Sequence, residues 1–350
     1  MVSKLKIGYI PNSPDAGHPA DRRRIIYWAK NRGHEVIFDL SQKHDVLVLS
    51  GRADLTRWTE MKNRSPLILD LVDGYLGKES LWRDWLRGTG KVITGHNSGT
   101  PRPYRKIVSK ACELAQAVVC ETVEQKETIL PYCKNTHTIL DFHEEFPMLP
   151  FNREVKTGNY PALMWEGLPF TAKGLLLLEN SFSKIAKSHP ISLEMVTDLK
   201  YPLFLGKYFS QDTEKILQNI PKILGDNFKL TKWNLEAVVN AADRSHIAVL
   251  PLDPYGALNP LKAENRLLMM WRIGLPTLAS PSFAYSRVMK DTQIEGICRD
   301  PSEWQLKLTE LMESVELREE SVEKGQQYIR DTHSKKLVLE AWDKLFESVL

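Results

Sequence analysis

Cysteine is scarce. Four stand among 350 residues, Cys112, Cys120, Cys133 and Cys298, with no C-x-x-C pair and no zinc-ligand spacing. Neither a disulfide framework nor a metal site is expected, and the four read as reduced thiols. Long hydrophobic runs are missing too: none approaches the ~18 residues of a membrane span. Met1-Val2-Ser3-Lys4 leads straight into a strand-like segment, without the apolar core of a signal peptide. A cytoplasmic protein is expected, at most peripheral to the inner face of the membrane. Neither sign of charge is in excess, with 47 Lys/Arg against 44 Asp/Glu, a net of +3. That balance argues against a dedicated nucleic-acid binder. The first strand is not followed by G-x-G-x-x-G but by Asn12-Ser13-Pro14-Asp15-Ala16-Gly17-His18-Pro19, which argues against a simple dehydrogenase. Internal repeats and low-complexity tracts are also absent.

What is present is an alternation of short apolar runs and longer amphipathic segments, the signature of βαβ units and parallel sheets. Strands are expected at Leu5–Ile10, Val36–Phe38, Val46–Leu49, Leu67–Leu69, Val92–Ile93, Ala117–Cys120 and His137–Leu140. Helices are expected at Asp21–Asn31, Arg105–Ala115 and Val123–Leu130. Residues 141–160, with Pro147, Pro150 and Gly158, read as a linker. The alternation then restarts. Strands are expected at Ala162–Trp165, Ser192–Val196, His246–Leu250 and Thr277–Ala279. Helices are expected at Lys173–Lys187, Asn234–Ala242 and Leu261–Arg272, then at 301–312, 316–331 and 335–350. Residues 199–232 give no clear pattern. The expected fold class is α/β, two doubly wound domains facing across a cleft, since this length suits two cores. The boundaries are 1–150 and 160–334, with ligands at the carboxyl ends of the parallel strands.

Candidate site residues follow from that placement. In the first loop, Gly17 allows close backbone approach and His18 stands before a helix, while Arg22, Arg23 and Arg24 suit an exposed basic helix face. Gly167 ends a strand, and Lys173-Gly174 opens the expected helix six residues on, so an ammonium and backbone N–H groups can surround one diphosphate. Lys262, Asn265 and Arg266 fall at i, i+3 and i+4, one face of a helix's first turns. Asp70 and Asp73 follow a strand, where a carboxylate faces the cleft and can take a proton from an acceptor hydroxyl. His96, after the expected strand Val92–Ile93, and His18 are alternative bases. Trp165 and Trp233 suit core or cleft wall. Arg102, Arg105, Lys106 and Lys110 form a basic cluster that can meet anionic lipid.

Several of these segments together resemble the GT-B glycosyltransferases, family-4-like enzymes above all. Arg32-Gly33-His34-Glu35-Val36 resembles their RGHEV segment, and Ala117-Val118-Val119-Cys120-Glu121-Thr122 a strand at the end of their first domain. Gly167 through Lys173-Gly174 matches their G-R-x4-K-G spacing. His246-Ile247-Ala248-Val249-Leu250-Pro251-Leu252 resembles D-I-x-x-x-P-L. Lys262-Ala263-Glu264-Asn265-Arg266-Leu267 through Gly274-Leu275-Pro276 resembles K-x-x-N-K-L…G-L-P-V. The resemblance implies a glycosyltransferase of bacterial glycan-biosynthesis type, with acceptor on the first domain and a nucleotide-sugar donor on the second. Its last helix, 335–350, crosses back to the first domain. The partners are then the donor and a glycan, glycolipid or small-molecule acceptor, with a peripheral membrane contact and no nucleic acid. No cofactor beyond the donor and no metal is expected. Lys173 is the first choice to stabilise the departing diphosphate, Lys262 or Arg266 the second, while Glu264 and Asn265 suit sugar or ribose hydroxyls. The chain departs from the pattern where the Arg after the motif's Gly is Leu168 and where the second glutamate of E-x7-E is Met269. Those departures keep two alternatives open: an inactive GT-B-like binding or assembly subunit, and a sugar-nucleotide epimerase.

Overall fold

A computed structural model describes residues 4–61, 65–78, 80–151, 161–188, 190–202, 210–217, 219–256 and 258–350. Of the expected linker, residues 152–160 lie outside the described residues. The chain divides into two units: residues 1–143 with 261–263 and 333–350, and residues 144–260 with 264–332.

The first unit carries a six-stranded parallel sheet in the order β2-β1-β3-β4-β5-β6. The strands are β1 (Lys6–Ile10), β2 (Glu35–Ile37), β3 (Val46–Ser50), β4 (Leu67–Leu71), β5 (Ala117–Cys120) and β6 (Thr136–Thr138). Helices α1 (Pro19–Arg22), α2 (Ile25–Arg32), α3 (Leu55–Glu60), α4 (Leu81–Ile93), α5 (Tyr104–Leu114) and α6 (Val123–Ile129) connect them. The central strands are near-continuous apolar runs, broken only by the buried Ser50 and Asp70, because both faces are buried. Val46, Val48, Ile68, Ala117 and Val119 point into one core with Ile7, Tyr9 and Trp28. Their neighbours Leu47, Leu49, Leu67, Leu69 and Val118 point into the other, with Val108 and Cys112.

The second unit carries a five-stranded parallel sheet in the order β11-β8-β7-β12-β13. Its strands are β7 (Ala162–Glu166), β8 (Ser192–Thr197), β11 (Phe228–Lys232), β12 (Ile247–Leu250) and β13 (Thr277–Ala279). An antiparallel pair, β9 (Lys200–Pro202) and β10 (Ser210–Asp212), stands apart from it. The helices are α7 (Glu179–Ser188), α8 (Ile220–Leu224), α9 (Leu235–Arg244), α10 (Asn265–Arg272), α11 (Phe283–Asp291), α12 (Pro301–Glu313) and α13 (Val315–Thr332). Gly274, at φ 79°, supplies the left-handed residue that ends α10. The last helix, α14 (Lys335–Glu347), belongs to the first unit. There Phe346 stacks on Trp28 at 4.1 Å between ring centroids, and Asp343 accepts the Trp28 indole N–H at 2.8 Å.

Three expectations are corrected. Val92–Ile93 is the last turn of α4, not a strand; two β-branched residues beside Lys91 imitate a strand only when the preceding turns are overlooked. The helix expected over Asp21–Asn31 is broken at Arg23–Arg24, where Arg24 leaves helical geometry at φ −117°, ψ −110°. The helix expected from Lys173 is a 3-10 run over Pro169–Leu178, followed by α7.

His246 stands immediately before β12, where its Nδ1 accepts the Ala162 N–H at 2.8 Å. Burial lowers its pKa to about 4, with Arg318 acting in the same direction. Between about pH 6.5 and 4 the unfolded chain therefore binds the proton that the folded chain refuses, so stability falls as pH drops through this window. His246→Gln keeps an acceptor but does not titrate. In urea denaturation at pH 7 and pH 4.5, the wild type should lose more stability than the variant; equal losses would remove His246 as a source of the acid sensitivity.

Candidate functional site

In the second sheet the chain reverses its direction of progress between β7 and β12, the switch point at which open α/β sheets take ligands. The residues gathered at the carboxyl end of β7 are polar and closely packed. Thr197 Oγ1 donates to the Gly167 carbonyl at 2.7 Å, and Trp233 Nε1 donates to Glu166 Oε1 at 2.9 Å. Arg266 Nη1 donates to the Glu166 carbonyl at 3.0 Å, while the guanidinium carbon lies 5.9 Å from the centre of the buried Trp165 ring. Arg266 Nη2 is buried and has no hydrogen-bond partner among the described residues. A Cβ at residue 167 would lie 2.7 Å from Arg266 Nη1, so a glycine there lets the guanidinium reach the turn.

Lys173 is exposed within the 3-10 run and has no ion-pair partner among the described residues. Gly174, next to it, is buried against the backbone that follows β12, and a Cβ there would overlap the Pro251 carbonyl. It is a packing glycine that holds the Lys173 segment to the switch point. Gly174→Ala should therefore destabilise the fold by about 1–3 kcal/mol, the usual range for overpacking; an unchanged urea midpoint would show that the run can shift at no cost.

The segment containing Lys262 differs from the expectation of one helical face. Residues 259–261 form a short 3-10 turn and α10 begins only at Asn265, so Lys262 precedes the helix. Asn265 and Arg266 open it. Glu264, 3% exposed, is the residue before its first turn and is paired with Arg287 at 3.0 Å. Lys262 groups with the first unit, where its ammonium lies 3.6 Å from Asp73. The structure thus joins Gly167, Arg266 and the Lys173–Gly174 run in one unit, and Lys262 and Asp73 in the other.

In the first unit, Asp73 follows β4 and accepts from the Tyr75 hydroxyl at 3.3 Å. His18 caps α1, its Nδ1 accepting the Ala20 N–H at 3.2 Å. Burial lowers its pKa against the opposing pull of Asp21, and Arg52 adds to the lowering. Gly17 is exposed, with its N–H on Asp15 Oδ1 at 3.0 Å. His96 is exposed beyond the end of α4, not at a strand end; burial, Lys91 and Arg52 lower its pKa. Both shifts favour the neutral imidazole.

Asp70 does not face solvent. It is 1% exposed and accepts from Arg24 Nε and Nη2, the latter at 2.6 Å. Arg24, read as part of an exposed basic face, is fully buried, with Asp141 at 3.5 Å and Glu121 at 3.7 Å. Burial opposes the Arg24 charge, yet these carboxylates offset it and hold the guanidinium above its ordinary value. Burial, reinforced by Asp141, pushes the Glu121 carboxyl well up. Lys91 was likewise missed: its ammonium donates to the Gly51 carbonyl at 3.2 Å over the Tyr104 ring, and burial lowers its pKa to about 8. No local signal separates Arg24 from Arg22 and Arg23, or Lys91 from any surface lysine.

A cavity of about 230 Å³ lined by His246, Arg318 and Gly274 lies at the amino end of β12, away from the switch-point edge. Among the described residues no group of three or more His, Cys, Asp or Glu side chains could hold a metal ion.

No protein-family model and no curated protein sequence matches the chain. Solved structures do. HepE of Anabaena, in complex with UDP and glucose, is 10% identical over 99% of this chain and 100% of its own, with a TM-score of 0.69. WaaG, a glycosyltransferase involved in lipopolysaccharide biosynthesis, is 12% identical over 97% of this chain and 99% of its own, at 0.60. TarM of S. aureus is 14% identical over 86% of this chain, at 0.63; this chain spans 54% of the length of TarM. The paired parallel sheets and these likenesses together establish that the chain has the GT-B glycosyltransferase fold.

Proposed function

We propose that the protein transfers a glycosyl group from a nucleoside-diphosphate sugar to a hydroxyl of a glycan, glycolipid or small acceptor. The observation that carries this reading is the cationic turn at the switch point of the second unit, where a buried guanidinium N–H group has no partner among the described residues. As the glycosidic bond breaks, negative charge grows on the diphosphate, and preorganised cations stabilise that charge without a cost of reorganisation. Arg266 and Lys173 fill this role, with the Gly167 turn admitting the phosphates. Arg266 reaches the turn from α10, so a cation stands where the family's usual Arg is replaced by Leu168. Glu264 and Asn265, at the start of the same helix, suit ribose or sugar hydroxyls. In the first unit Asp73, His18 and His96 are the candidate bases for the acceptor hydroxyl, and Lys262 is ion-paired with Asp73. The diphosphate charge is met by side chains in this scheme, and no metal is assigned to the step. That HepE is solved with UDP-glucose supports a uridine nucleotide as the first donor to test.

Calorimetric titration with UDP, GDP, TDP, ADP and CMP tests the reading. Selective binding of one diphosphate is expected, weakened about tenfold in Lys173→Ala, as for loss of one charge-assisted contact. The altered positions Leu168 and Met269 favour a second reading, a non-catalytic subunit of the same fold. Binding of none of the five at millimolar concentration would favour that second reading and overturn the first.

A further inference from the structure

Helix α4 is turned outward. Only Asp84 and Gly88 are buried along it: Asp84 accepts the Arg105 N–H at 2.9 Å, and Gly88 lies against the Arg102 carbonyl. At about 100° per residue, Leu81, Trp82, Trp85, Leu86 and Ile93 fall within an arc of about 140°. That arc faces water, with Trp82 60%, Leu86 59% and Ile93 64% exposed. Isolated exposed apolar residues are ordinary; a contiguous stripe with two tryptophans marks a contact surface.

Charge identifies the occupant. Residues 78–110 hold eight Lys/Arg against two Asp/Glu, whereas the whole chain has a net charge of only +3. The stripe is therefore flanked by a concentrated positive field. Arg83 lies over the Trp82 ring at 5.5 Å, and Lys78, Arg102 and Lys106 are exposed. Tryptophan and leucine on one arc with cations beside it is the composition of a helix lying in the headgroup layer of a bilayer. A second copy of this chain would bring the same positive field against itself, which argues against self-association.

We propose that α4 docks the first unit on an anionic phospholipid surface, with Leu81, Trp82, Trp85 and Leu86 entering the headgroup–acyl boundary and the flanking cations meeting lipid phosphates. The last turn of α4 also carries Lys91, which holds the Gly51 carbonyl just beyond β3. Docking there brings the carboxyl edge of the first sheet close to lipid headgroups.

Vesicle flotation tests this with phosphatidylcholine alone and with about 30% phosphatidylglycerol added, the second supplying the surface charge. The wild type should float with the anionic vesicles only and be released at about 0.5 M salt, where screening acts within a few ångströms. Trp82→Gln/Trp85→Gln should weaken binding at least about tenfold, since both rings supply the buried apolar area. Arg83→Gln/Lys106→Gln should weaken it while leaving residual binding. Brominated lipid should quench tryptophan emission in the wild type and not in the double tryptophan variant. Unchanged melting and nucleotide titration in both variants would separate docking from folding and from glycosyl transfer. No flotation of the wild type, equal flotation of the tryptophan variant, or a concentration-dependent dimer abolished by it would each overturn the proposal.

Discussion

Arg24→Met should destabilise the protein by about 3–5 kcal/mol, the cost of removing one partner from a buried ion pair. Arg24 is fully buried and is ion-paired with Asp70, Glu121 and Asp141, with its Nη1 also on the Ile139 carbonyl at 2.6 Å. Methionine keeps much of the stem volume but leaves three buried carboxyl groups facing one another. They can relieve the repulsion only by taking up protons, which raises their folded pKa values. A group with a raised folded pKa favours folding at low pH and loses that advantage as pH rises through the folded value. The penalty in Arg24→Met should therefore be smaller at pH 5 than at pH 8. Urea denaturation at the two pH values checks this, with Arg22→Met, on the half-exposed side of the same segment, as the control. A penalty independent of pH would assign the loss to packing and not to the orphaned carboxylates.

The prediction also marks where sequence reasoning stops. The strands Val46–Ser50, Ala117–Cys120 and Ile247–Leu250 are legible because burial on both faces makes them near-continuous apolar runs. Amphipathic segments over α5 and α9 are legible because each has one face in the core. Helix α4 defeats the same logic. Its apolar stripe faces water and its inner positions are Asp84 and Gly88, so the pattern points the wrong way and Val92–Ile93 passes for a strand. The site divides similarly. Gly167 and Arg266 are recognisable by residue type and spacing, whereas the Arg24 cluster joins residues far apart in the chain and no local pattern announces it. The spacing of Lys262, Asn265 and Arg266 suggests one helical face, but α10 starts only at Asn265, and Lys262, ahead of it, pairs with Asp73.

Arg266→Met should lower sugar transfer about 100-fold, the lower end of what one preorganised transition-state donor contributes. The guanidinium is held at the turn by the Glu166 carbonyl through Nη1, while the buried Nη2 has no hydrogen-bond partner among the described residues. In that partly desolvated position a charge interacts more strongly with a developing anion than it would in water. Methionine preserves contact with the Trp165 ring but removes the donors, so the melting temperature should move little while kcat/KM falls. If Arg266 binds the diphosphate equally in ground and transition states, KM rises and kcat stays. If it acts mainly on the departing diphosphate, kcat carries the loss. Arg266→Lys should recover only part of the rate, because an ammonium cannot hold the Glu166 carbonyl and a phosphate oxygen in the same fixed fork. Release of nucleoside diphosphate, measured with the donor selected by titration, gives both parameters. A variant with unchanged kcat/KM and unchanged diphosphate affinity would detach Arg266 from the chemistry and leave the exposed Lys173 as the remaining cation for that role in the second unit.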